Sequence, residues 1–287
     1  MNSTLCVLVV AGLIAFTMPG LARRVLPSMG GAPLFALAAW QVASVSVVAS
    51  WVLVGVLLPN RVLGLAIAGG VLAWLAYSVA AVARDERRRR RTHAEAVRIV
   101  GRGDPALSAT VVDSDVPAIY CLAGRPHTIV VTSSARDVLP AEQLRAALAH
   151  EHAHLAGHHH LLLVFARAVA RAFPAVELFD LAARETARLV EILADDTAAR
   201  RHGRRTVAEA LLRLACGRMP AAALGAGGAG VLPRVQRLLA APAPVTAGQR
   251  LRWAAALAVV AGAPMMGVAL PVALLLPYLQ ACSLPGM

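Results

Sequence analysis

Five consecutive residues near the middle of the chain, His150-Glu151-His152-Ala153-His154, have the types and spacing for metal-assisted hydrolysis. On a helix, residues four apart share a face one turn up, so His150 and His154 can bring two imidazoles to one metal ion. Glu151 projects beside them. A carboxylate there can take a proton from a water activated at the metal and return it to a leaving amine, which is the chemistry of zinc-assisted peptide hydrolysis. Six of the nine histidines fall between residues 150 and 160, so a polar, His-rich helix surface that binds nothing is the bland alternative. His152, two residues from each candidate ligand, is turned to roughly the opposite helix face and is a neighbour rather than a ligand.

A catalytic zinc takes three protein ligands and keeps one open position. Two residues compete for the third place. His160 completes His150-Glu151-x-x-His154-x-x-Gly157-x-x-His160, the elongated metzincin pattern, in which glycine lets the chain turn the last histidine back to the metal. Glu191 stands on a separate predicted helix in the run Glu191-Ile192-Leu193-Ala194-Asp195. A glutamate there can ligate zinc, and Asp195, one turn on, can accept a hydrogen bond from a ligand imidazole and fix its tautomer. Acids at this spacing are also common on solvated helix faces. The motif is predicted to lie inside the cell, unlike the secreted metzincins, and His158-His159-His160 runs into apolar Leu161 to Val164 as a second helix would. Met219-Pro220 offers only a weak methionine turn. These features favour Glu191. His202 and Arg200 are candidate oxyanion partners, without spacing to recommend either.

The elements needed to hold these residues are legible nearby. Leu139-Pro140-Ala141-Glu142 opens a helix with proline at a tolerated early position and an acid in the first turn, and Gly157 is a natural stop. Leu144, Ala147, Leu148 and Leu155 give it an apolar face. Val111-Val112, Ile119 to Leu122 and Thr128 to Thr132 predict a small sheet before the motif helix, one edge of which can bind an extended peptide. Ala94 to Val100 predicts a short helix closed by Gly101-Arg102-Gly103, and a helical pattern resumes from Val176 to about Arg200. Leu161 to Phe173 is too short to span a bilayer and carries Arg167 and Arg171, which predicts a buried or membrane-surface helix.

The rest of the chain is organised around lipid. A hydrophobic share of 58%, a charged share of 15% and a mean hydropathy of +0.65 over 287 residues exclude an ordinary soluble domain. Spans are predicted at about 5–21, 34–58, 62–83 and 253–279, with Trp253 and Tyr278 at the ends of the last. All 28 basic residues are arginine and the formal net charge is +12. The run Arg84-Asp85-Glu86-Arg87-Arg88-Arg89-Arg90-Arg91 abuts a span and reads as a cytoplasmic stop-transfer signal that can touch anionic lipid, in preference to a nucleic-acid patch. Arg23, Arg24, the 84–91 run, Arg250 and Arg252 fall on one side and Arg61 on the other. Both termini are therefore predicted outside and the middle of the chain cytoplasmic. The expected division is three spans in 1–83, a zinc protease domain in 84–219, a linker rich in Ala, Gly and Pro in 220–249 with a short helical piece around Val231 to Leu239, and a fourth span with a short outer tail in 250–287. Cys6, Cys121, Cys216 and Cys282 show no CxxC spacing, which argues against thiolate metal binding. Cys6 and Cys282 fall near the outer face, as unpaired thiols rather than a disulfide.

Leu139 to Leu144 (LPAEQL), the core at 150–154, His159-His160-Leu161, Pro174, Glu191 with Ala194-Asp195-Asp196, and Arg234 to Leu239 before a last span together resemble the BlaR/MecR-type membrane metallopeptidases. The resemblance implies a mainly α, polytopic fold with four transmembrane helices and a gluzincin-like α+β zinc protease domain on the cytoplasmic side. It implies zinc ligands His150, His154 and Glu191, Glu151 as general base and Asp195 as a hydrogen-bond partner of a ligand. It also implies a protein substrate, either a transcriptional repressor or a membrane protein, cleaved at the membrane face in regulated proteolysis. The antibiotic sensors of that family carry a penicillin-binding domain after the fourth span with a Ser-x-x-Lys nucleophile; these 287 residues contain no lysine, and acylation by β-lactams through that route is not expected. HtpX-like membrane quality-control proteases have a similar motif arrangement. A catalytically silent signalling scaffold is a further alternative, against which the intact Glu151 counts.

Overall fold

The computed structural model describes residues 20, 32–58, 60–124, 126–218, 230–240 and 245–281. The chain is mainly helical. Helix α1 is Pro33–Leu57, α2 is Arg61–Val100, α3 is Ser133–Val138, α4 is Ala141–Ala156, α5 is His159–Ala172, α6 is Glu177–His202, α7 is Arg204–Arg218, α8 is Val231–Leu239 and α9 is Ala247–Ala281. Four strands, β1 (Arg102–Asp104), β2 (Ala109–Val112), β3 (Ile119–Leu122) and β4 (Thr128–Thr132), lie between α2 and α3.

Two compact units are formed. The first takes the described residues up to Val82, Phe165–Thr186 and α9. α1 and α2 approach closely at Gly55 and Gly64; a Cβ on Gly64 would stand 2.1 Å from the Gly55 carbonyl oxygen, so only glycine permits the contact. The end of α5 and the start of α6 join α1 through an aromatic cluster, in which Trp51 meets Phe173 edge-on at 5.0 Å and Phe179 at 5.8 Å. Trp74 Nε1 donates to the Ala172 carbonyl at 2.9 Å and Ser78 Oγ to that of Ala168 at 2.9 Å. The stretch expected to be buried or to lie on the membrane surface thus has Ala168, Val169 and Ala172 buried.

Among the described residues, α1 and α2 are the helices long and apolar enough to cross a membrane by that measure. The apolar stretch of α1 is 50% buried and that of α2 11%. The expected fourth span falls within α9. The first, at 5–21, lies outside the described residues except for residue 20, and Cys6, Cys282, Met219 and Pro220 lie outside them too.

Ala83–Val164 and Ala187–Ala243 make the second unit. Its sheet has the order β1-β2-β4-β3, with β2 and β4 parallel and both outer pairs antiparallel. β4 is central and its Val130 and Val131 are fully buried, as a continuous β-branched run requires. β3 pairs with β4 alone among the described residues, which leaves an edge on its other side. Ile119, Ile129 and Val131 pack with Leu144 and Leu148 of α4 and Ala210 of α7. A second cluster joins Ala146 of α4 to Val207, Val235 and Leu238 of α7 and α8. α4 is therefore gripped on two faces, and the motif it carries is held rigid.

Local expectations hold closely for β3, β4, α4 and α8. The short helix expected at Ala94 to Val100 is instead the end of α2, which runs unbroken through the arginine run. Arginine is a good helix former, and Arg90 pairs with Glu86 one turn back at 2.9 Å, so nothing in the run stops the helix. Arg102–Asp104, expected as part of that helix's stop, forms β1. Helix α7 has no counterpart in the sequence reading, and residues 165–186, expected within the protease domain, group with the first unit.

Candidate metal centre

α4 presents His150 and His154 one turn apart, and their Nε2 atoms converge to 3.0 Å. α6 brings Glu191 to the same point, with Oε2 3.6 Å from His150 Nε2 and Oε1 3.4 Å from His154 Nε2. Tetrahedral zinc with bonds of about 2.0–2.2 Å sets its donor atoms roughly 3.3–3.6 Å apart. The two contacts of the Glu191 oxygens match that spacing, the 3.0 Å between the imidazole nitrogens falls somewhat short of it, and a donor set of two imidazoles and a carboxylate suits that ion.

Asp195 lies one turn beyond Glu191 and is 1% exposed. Its Oδ1 is 3.0 Å from His150 Nδ1, close but off the line of a straight hydrogen bond. Burial would raise this carboxyl, yet Arg234 and His150 hold it below the usual range. Burial likewise opposes ionisation of Glu191, and His150, Arg234 and His154 outweigh it to hold that carboxyl down as well. The two imidazoles are driven apart. Burial tends to discharge His150, but Asp195 and Glu191 together lift it to about 9, whereas burial and the neighbouring His150 push His154 down to about 4. Glu151 is raised, chiefly by burial, which suits a group that must accept a proton and give it back.

Three further residues at the site had no signal in the motif. Arg234, from α8, makes parallel bonds to Asp195, Nε to Oδ2 at 2.8 Å and Nη2 to Oδ1 at 2.7 Å, and places Nη1 2.9 Å from Glu191 Oε2. His159 sets Nδ1 2.9 Å from His154 Nδ1, a contact that orients the second imidazole from the first turn of α5. Cys121 on β3 touches Glu151, and burial together with that carboxylate pushes its thiol up to about 12. The pairing of acids with a downstream arginine and the histidine doublet 158–159 were visible in sequence, but only the fold reveals whom they meet.

The remaining candidates lie elsewhere. His152 is exposed. His160 is half-buried, and the charges it feels are those of Arg90, His158, His127 and Glu86 rather than of the Glu191 cluster. α5 begins at His159, immediately after left-handed His158, so no open metzincin turn follows Gly157. Arg200 donates to Thr197 at 2.9 Å, and neither it nor His202 lines the cleft beside the motif.

A partly buried His–His–Glu triangle with a flanking carboxylate, set between α6 and a helix packed against a mixed sheet, is a metallohydrolase-type arrangement. The profile of peptidase family M48 matches residues 83–246, more than half of the chain. The chain belongs to peptidase family M48, a family of zinc metallopeptidases. No curated protein and no solved structure matches the chain.

Proposed function

We propose that the protein is a membrane-bound zinc endopeptidase that cleaves a protein substrate at the cytoplasmic membrane face. The observation that carries this reading is the convergence of His150, His154 and Glu191 beside Glu151 in a chain of this family. These three side chains hold the ion, and Asp195 and His159 fix the orientation of the two imidazoles. Zinc, when bound, supplies a Lewis acid that polarises the scissile carbonyl and acidifies water. Glu151 takes the proton of the attacking water and delivers it to the departing amine; its raised affinity for protons favours the first transfer without blocking the second. Arg234 keeps Glu191 and Asp195 ionised. The free side of β3 gives an extended peptide backbone a place to pair next to α4.

Membrane attachment rests on the low burial of the apolar stretch of α2 and on the arginine run that follows it. Four spans, outside termini and a cytoplasmic site are the topology that the arginine distribution favours. Within this reading, the resemblance to BlaR/MecR-type peptidases favours one dedicated substrate and regulated proteolysis, whereas HtpX-like quality control would accept many misfolded membrane proteins. Trapping substrates on a Glu151→Gln protein separates the two. The reading itself is tested by purifying the protein in detergent: about one zinc per chain is expected, with cleavage of a casein or peptide-library substrate reduced by 10²–10⁴-fold in Glu151→Gln at unchanged zinc content. Absence of stoichiometric zinc, or full cleavage by that variant, would sink it.

A further inference from the structure

β3 brings Cys121 to Glu151 by two routes, its backbone and its side chain. Thr132 N–H donates to the Ala118 carbonyl at 3.0 Å, so hydrogen-bonded pairs alternate from there through Tyr120–Val130 to Leu122–Thr128. Cys121, opposite Ile129, falls between two such pairs, and its amide points off the free edge of the strand. Side chains alternate as well. Tyr120 meets His93 of α2 on one face, whereas Ile119 and Cys121 pack on the other against the cluster that holds Leu144 and Leu148 of α4. On α4, Ala147, Glu151 and Leu155 stand four apart and share a face, and Ala147 and Leu155 pack against the same cluster. Glu151 is therefore turned toward β3. It lines one cleft with Ile119 and accepts hydrogen bonds from both the thiol and the backbone amide of Cys121.

We propose that Cys121 is a positioning residue for Glu151: its S–H and N–H together hold the carboxylate in the orientation from which it takes a proton from the attacking water. The inference rests on the peptidase reading above and adds to it how the base is aimed. A carboxylate offers about four lone-pair sites, so two donors on the strand side leave the others for that water. Glutamate is a long, rotamer-rich side chain, and restricting it beforehand spares the reaction the entropy of ordering it. A thiol is a weak donor, which orients the carboxylate without competing strongly for the charge that receives the proton. Burial and the neighbouring carboxylate keep the thiol protonated, so it acts as the donor of the pair. A residue that only filled the core here would need bulk and no donor.

The test uses the full-length, zinc-loaded protein in detergent with casein peptides as substrate. Cys121→Ala and Cys121→Val remove the donor, the second while keeping the bulk. Each is expected to lower kcat by about 10–100-fold, with zinc content unchanged and KM within about twofold of wild type. Cys121→Ser restores a donor and should keep kcat within about threefold of wild type. A packing role predicts the opposite order, because Cys121→Val suits an apolar core and Cys121→Ser does not. Full kcat in Cys121→Ala and Cys121→Val, a change confined to KM, or a Cys121→Ser protein as slow as Cys121→Ala overturns the proposal and leaves the peptidase reading intact. A wild-type protein that cuts no peptide fails the peptidase reading, and this proposal with it. Should the Cys121 variants lose their thermal transition, Cys121 is kept and Glu151→Gln removes the charge at similar volume. Maleimide labelling of Cys121 is then expected to rise at least about tenfold, and an unchanged rate overturns the proposal.

Discussion

An alanine at position 157 would place its methyl 2.5 Å from His159 Nε2, although the backbone there, at φ −79°, would accept any residue. Gly157 is thus needed for the room it leaves an imidazole and not for a turn. Gly157→Ala should displace His159 from His154 and weaken zinc binding by about 10–100-fold, measured by competition with a chelator; unchanged affinity would mean that His159 does not orient the ligand. Cys121 gives a second prediction. With its thiol raised to about 12, only about one in ten thousand molecules carries the thiolate at pH 8, so maleimide should label exposed Cys216 at least about a hundredfold faster. Because its pKa is raised, the small thiolate fraction grows about tenfold per pH unit, and labelling of Cys121 should keep rising through the range in which an ordinary thiol has levelled off. Comparable rates at pH 8 would contradict the burial of Cys121 together with its contact with Glu151. Helix geometry paired His150 with His154 and Glu191 with Asp195, since residues four apart share a face, whereas the choice of Glu191 over His160 rested on context and on the family resemblance. His159, Cys121 and Arg234 could not be named in advance, since each reaches the site from a different element and the distance between elements is a tertiary property.

α8 illustrates what an element contributes beyond its length. Arg234 binds Asp195 and Glu191, Arg237 binds both oxygens of Asp196 at 2.7 and 2.8 Å, and Arg204 at the start of α7 donates to the carbonyl groups of Arg237 and Leu238 at the helix end. Nine residues are thereby fixed to α6 and α7 by charge, with Val235 and Leu238 buried beneath them. Arg234→Gln leaves Asp195 buried without its cation and should destabilise the protein by about 3–5 kcal/mol, seen as a lower thermal midpoint. Arg234→Lys should not restore it, because an ammonium cannot make the paired bonds. A midpoint unaffected by Arg234→Gln would remove the ion pair from the account of stability. Periodicity and flanking Gly and Pro were enough to place α4, α8, β3 and β4. α7 goes unassigned, although Val207, Ala210, Leu211 and Leu214 recur at helical spacing after Gly203; the join in α2 is missed because the arginine run carries neither an apolar stripe nor a breaker, and β1 because its three residues acquire strand geometry only by pairing with β2.

At the scale of the molecule, the 58% hydrophobic share and the arginines clustered beside apolar stretches raise the expectation of a bilayer before any element is assigned, and two apolar helices agree with it, whereas the grouping of residues 165–186 with the first unit follows from aromatic packing around Trp51 that no run of letters encodes. Attachment predicts that the protein stays with membranes in alkaline carbonate and leaves them in detergent; release by carbonate would refute integral insertion. The position of α8 has a bearing on how the protein is made. The ligand set is complete once residue 191 has been synthesised, but the guanidinium that balances Glu191 and Asp195 arrives only at residue 234, close to the last long helix. A ribosome delivers the chain from its amino terminus, and the buried carboxyl of Asp195 resists burial until its paired guanidinium is present. The centre therefore closes only after α8 has emerged, and a chain truncated after residue 230 is expected to be inactive even though it contains His150, Glu151, His154 and Glu191.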